Sequence, residues 1–177
     1  QMSVERLREV LKQHGTAGGP DASERSRFPE VRDAVRTLAS VRSRYGNDLA
    51  EAVRAGHAEH ASTLDEVMEQ QRVHLLTYAD VFERSPQWLE ADWLRDRAVQ
   101  FFVMNQHISA ADAQRAAITA FIELGDRSEV IDSWMGLSHM YRARGELRQA
   151  HAAAEEAAAL GSQEASRLAA QIDQEME

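Results

Sequence analysis

The chain has 177 residues, 44% hydrophobic and 28% charged, enough for one compact core or a short array of helical repeats. Its net charge of −9 argues against nucleic acid and anionic membrane surfaces, which call for a clustered Lys/Arg surplus, and reads as a solubility feature. With no cysteine, a disulfide framework, a thiolate metal site and a thiol nucleophile are all excluded.

Alanine is abundant, prolines number three, and no alternating run bounded by turn residues suggests a strand, so the expected class is all-α. Ser3 is placed to cap a first helix with Val4, Leu7, Val10 and Leu11 on one face, stopped near Gly15. Residues 15–29, "GTAGGPDASERSRFP", read as a flexible linker, which sets off 1–14 as an N-terminal helix. From Pro29 to about Tyr45, Val31, Ala34, Val35, Leu38 and Val41 fall at helical spacing, and "YGND" then suggests a turn.

The proline-free stretch from Asp48 to Ser85 carries a stripe of Leu49, Val53, Leu64, Val67, Met68, Leu75, Tyr78 and Phe82. Gly56 leaves two readings open, one long helix or two with a break between Gly56 and Ser62. Ser85 and Pro86 mark the start of a helix running to about Asn105, with Trp93 expected in its core face and Trp88 in core or in a contact patch. Ser109 with Asp112, and Asp126 with Glu129, have capping-box spacing, while Gly125, Gly145 and Gly161 sit where helices should stop. Short loops between such helices imply antiparallel hairpins.

Residues Ser133 to Leu160, "SWMGLSHMYRARGELRQAHAAAEEAAAL", resemble a tetratricopeptide repeat, a helix-turn-helix unit of about 34 residues. Trp134, Leu137 and Tyr141 stand at the repeat's first-helix W, L and Y positions, Gly145 in its turn, and Ala150 and Ala157 at its small second-helix positions. Ser138, Ala154 and Ser162 depart from the usual glycine, aromatic and proline. Upstream, Leu94, Ala98, Phe101, Ala113, Ala117 and Ala120 imitate the pattern with longer loops, and residues 163–176 suit a capping helix.

The resemblance implies an α-solenoid over residues 88–177, with residues 30–87 forming diverged repeats or a helical bundle. It also implies a groove that takes a peptide or protein partner and would be lined by Asp132, Met135, Gly136, His139 and Arg142. Met135 and Gly136 stand where a carboxylate clamp would need cationic or amide side chains, so an apolar anchor at Met135 and an acidic group near Arg142 are the expected ligand features.

Catalysis has no such support: phosphate loop, nucleophile elbow and HExxH motif are all missing, and Glu90 with Asp92, or Glu155 with Glu156, point apart along a helix. His57, His60 and His74, near Glu59 and Glu66, raise a metal-binding bundle as a rival, although ordinary histidines explain them more simply. No metal or cofactor is expected. The expectation is a non-catalytic, cytoplasmic protein-interaction module; the alternative is a peptide-sensing or regulatory domain of a larger bacterial signalling or transcription protein. Gln1 ahead of Met2 reads as a cleavage remnant.

Overall fold

A computed structural model describes residues 4–15 and 28–177. The expected Ser3 cap, and residues 16–27 of the linker expected over 15–29, lie outside the described residues, while its end residues Gly15 and Pro29 belong to helices. Among the described residues every regular element is helical, and no helix is long and apolar enough to cross a membrane. The chain divides into two compact units, Gln1–Glu90 and Ala91–Glu177.

The N-terminal unit contains α1 (Val4–Gly15), α2 (Pro29–Arg54) and α3 (Ala61–Thr77), followed by the start of α4 (Pro86–Val103). Pro29 opens α2 at a position where its missing N–H and fixed φ cost nothing. The helix then continues through the "YGND" stretch, where a turn was expected, and ends only at Arg54. The apolar period explains this. Val31, Ala34, Val35, Leu38, Ala39, Gly46, Leu49 and Ala50 are all buried, so one continuous stripe overrides a local Gly-Asn-Asp turn signal.

The break comes later. Gly56 has φ +110°, a left-handed conformation that a side chain would strain, and a 3₁₀ turn (Ala58–His60) leads into α3. The two-helix reading of Asp48–Ser85 is therefore the one observed, with α3 ending at Thr77 and a second 3₁₀ turn over Ala79–Phe82. Val10 of α1 joins Val31, Ala34, Val35, Leu38 and Val81 in one buried cluster, with Tyr78 and Phe82 packed against it.

Polar side chains tie α2 to the elements packed against it. Gln71 donates through Nε2 to the Ala39 carbonyl at 3.1 Å, and Arg36 donates to the Val81 carbonyl at 3.1 Å. His74 Nε2 lies 3.0 Å from the Val35 carbonyl. A carbonyl only accepts, so this nitrogen carries the ring proton.

The C-terminal unit comprises the later part of α4, α5 (His107–Leu124), α6 (Arg127–Ala143), α7 (Leu147–Ala159) and α8 (Gln163–Met176). Ser85 accepts from the Trp88 amide at 3.1 Å, and Asp126 from the Glu129 amide at 3.3 Å, so both anticipated caps are present. Ser109 is not a cap. Asn105, at φ +63°, stops α4 early enough for α5 to begin at His107, leaving Ser109 inside the first turn. Gly125, Gly145 and Gly161 have φ of +69°, +77° and +101° at the ends of α5, α6 and α7. Ser162, which the sequence offered only as a replacement for proline, caps α8 by accepting from the Ala165 amide at 3.1 Å.

Hydrogen bonds fix the direction of these helices. Ser138 Oγ donates to the Ala150 carbonyl at 2.7 Å, almost symmetrically about the turn at 144–146, so α6 and α7 run antiparallel. Gln114 Nε2 to the Ser133 carbonyl, 2.8 Å, and His151 Nε2 to Asp173 Oδ1, 3.1 Å, do the same for α5 with α6 and α7 with α8. The start of α8 meets Met135 and its end meets Arg142, which places α8 alongside α6 in the same direction.

Candidate functional site

The hairpin of α6 and α7 is packed through small residues. Ala150, Ala154 and Ala157 are completely buried, as are Leu137 and Ser138. Alanine lets two helix backbones approach, and the Ser138 hydroxyl fills the remaining space while satisfying itself on a backbone carbonyl. Tyr141 is buried, with its hydroxyl 2.7 Å from the Arg115 guanidinium of α5. Trp134 is only half-buried, so the indole lies at the margin of this core and not in its centre. Trp88 and Trp93 are likewise half-buried, each within its own unit, and the Arg84 guanidinium lies 4.4 Å from the Trp88 ring centroid.

The five residues expected to line a partner groove do not share one environment. Asp132 and His139 are exposed on α6. Met135 is buried at 9% exposure with the Ser162 hydroxyl against its sulfur, so it is not available as an apolar anchor. Gly136 faces α5: a Cβ there would come within 2.8 Å of Gln114 Nε2, so glycine permits the close approach of α5 and α6. Arg142 donates through Nε to Glu175 at 2.9 Å, and this contact holds the Glu175 carboxyl below its usual range. An acidic ligand group at Arg142 would have to displace Glu175. The period-3.6 face was legible in the sequence, but the helix that covers half of it was not placed by that argument.

Another cation of this unit is internal. Arg95 makes ion pairs with Asp92 at 2.7 Å and Glu129 at 2.6 Å, and its guanidinium carbon sits 4.6 Å from the Phe121 ring centroid. This set joins α4, α5 and α6 and is saturated, which makes it a packing feature.

The three histidines of the metal-binding alternative are not brought together. His57 and His60 lie at the exposed or half-exposed 3₁₀ turn with ring centroids 6.0 Å apart, whereas His74 is buried in α3 against Val35. No group of three or more metal-ligating side chains is found among the described residues. Burial pushes the His74 pKa down, its bond to Val35 notwithstanding, and keeps the imidazole neutral at physiological pH.

The N-terminal unit carries a groove of about 550 Å³ that the sequence did not reveal. Arg42 of α2 lines it, opposite no single motif, with Glu66, Glu69, Gln70, Val73, His74, Thr77 and Tyr78 from α3 and its C-terminal turn. The signal that could have found it is Val73, an aliphatic residue on the polar side of α3 that is 52% exposed. No protein-family model matches the chain, and no curated protein and no solved structure matches it.

Proposed function

We propose that the C-terminal unit is a tetratricopeptide-type array acting as a non-catalytic module that binds a protein or peptide partner. The observation that carries this reading is the hairpin seam: the resembling positions Leu137, Tyr141, Ala150 and Ala157 coincide with buried residues of α6 and α7, and Gly145 with the left-handed turn between them. The position of α8 beside α6 supports the same reading, since in a repeat array each first helix is flanked by the next one.

Within that reading the ligand contacts the part of the α6 face that stays open, Asp132 and His139, with Arg142 reached only in exchange for Glu175. Such a ligand presents a donor or cation to Asp132. Selection of a random peptide library on the immobilised protein tests this. Enriched peptides should contain Lys or Arg, and the double substitution Asp132→Ala, His139→Ala should abolish their binding while leaving helicity unchanged. Peptides that bind the double variant as tightly as the parent would place the partner surface elsewhere.

A further inference from the structure

Arg42 is half-buried and, among the described residues, has no carboxylate within ion-pairing reach. The other half-buried arginines described in its unit are treated differently: Arg32 pairs with Glu83 at 3.3 Å, and Arg72 with both Glu69 and Glu90. In a chain with a surplus of nine negative charges, a half-buried arginine in a groove with no counter-ion among the described residues is unexpected. The neighbouring charge of Arg8, on the exposed side of α1, adds repulsion and makes the deficit larger. Partial burial of an unpaired cation is unfavourable, and an anion supplied from solution relieves it.

The walls of the groove suit the rest of such a molecule. Val73 is an exposed aliphatic side chain, and the His74 and Tyr78 rings lie 5.0 Å apart beside it. His74 already uses its ring N–H on Val35, so it offers an apolar flank and no rival charge. Glu69 is held by Arg72 at 3.3 Å, which leaves Glu66 as a lining carboxylate with no ion pair among the described residues. A volume of about 550 Å³ accommodates a small organic molecule.

We propose that this groove binds a small organic monocarboxylate with an apolar body, its carboxylate accepting hydrogen bonds from the Arg42 guanidinium and its body lying along Val73, His74 and Tyr78. Glu66 repels a second negative charge, which restricts the ligand to one. The site lies in the N-terminal unit and is independent of the partner surface proposed on α6, so either can fail without the other.

Titration calorimetry on the full chain, with 4-phenylbutyrate and its uncharged amide as probes, tests the proposal. The acid should bind saturably with one site, and the amide at least about tenfold more weakly, because the charge-assisted bond is missing. Arg42→Gln should remove the difference between acid and amide. Glu66 is exposed, so Glu66→Gln leaves the fold intact and should tighten the acid about two- to fivefold by removing a like charge. Absence of saturable binding by the acid, equal binding of acid and amide, or weaker binding by Glu66→Gln would each overturn the assignment.

Discussion

The two units solve helix packing by different means. On α7 the seam with α6 is made by alanines, met from α6 by Ser138 beside Leu137 and Tyr141, so the backbones come close and the α7 residues bury little area each. α2 and α3 instead bury large side chains, Leu38 and Leu49 on α2, Leu64 and Met68 on α3, with Gln71 and His74 reaching across to main-chain carbonyls. A small-residue seam is sensitive to added volume, whereas a seam built on long and polar side chains is sensitive to lost volume and to charge. That contrast dictates how each should fail.

The largest effect should come from removing α8 by truncation after Gly161. Leu168 and Ile172 are buried in its stripe with Ala165 and Ala169, and each large aliphatic contributes about 1.5–3 kcal/mol. Losing both is serious when a domain's whole stability is about 5–15 kcal/mol. Truncated protein should melt earlier and self-associate in light scattering through the uncovered side of α6 and α7. A monomer with an unaltered melt would mean that α8 does not close the seam.

Next in size is the core of the C-terminal unit. Phe121 is completely buried, so Phe121→Ala should cost about 3–5 kcal/mol in chemical denaturation. Trp134 is only half-buried, and Trp134→Ala should cost clearly less despite the larger ring. The reverse order would place Trp134 in the core and Phe121 at its edge.

The N-terminal seam should respond to pH where the alanine seam does not. His74 titrates below its ordinary value in the folded chain because burial disfavours the imidazolium, while the unfolded chain titrates near 6.5. Between the two the unfolded state binds the extra proton, so stability is constant above pH of about 6.5 and falls as pH drops below it. Protection factors of the α2 and α3 amides, with the base-catalysed chemical exchange rate divided out, should fall between pH 7.5 and 5.5, and His74→Gln should flatten that dependence. Protection factors that rise on acidification would have the wrong sign.

The smallest effect belongs to Arg142 and Glu175, an exposed pair despite its good geometry. Arg142→Gln should leave the melting temperature unchanged within error, since solvent and salt screen such contacts. A marked loss would make this pair a structural clasp between α6 and α8.

Helix existence was legible in the sequence almost everywhere, because the 3.6 period repeats over each segment. So were the ends marked by Gly125, Gly145 and Gly161, and the caps Ser85 and Asp126, where local chemistry and tertiary structure agree. Signals failed where they conflicted: Gly46 and Asn47 look like a turn, yet the buried stripe on either side carries α2 through them. Gln71, His74 and Gln114 were invisible as core because their burial depends on carbonyls of another helix, which no local pattern encodes. The face of α6 was correctly periodic, but whether Met135 and Arg142 are open depends on Ser162 and Glu175 at the two ends of α8, 27 and 33 residues further on. The Arg42 groove is likewise a property of α2 and α3 together.

The small-residue seam is tested most directly by two substitutions in the same helix. Ala150 is completely buried against α6, whereas Ala152, two residues on, is exposed. Leucine suits a helix at both positions, so intrinsic propensity cancels. Thermal and chemical unfolding of Ala150→Leu should show a loss of about 1–3 kcal/mol from overpacking, with Ala152→Leu close to the parent. Equal stability of the two variants would contradict close packing of α6 on α7, and with it the repeat on which the proposed function rests.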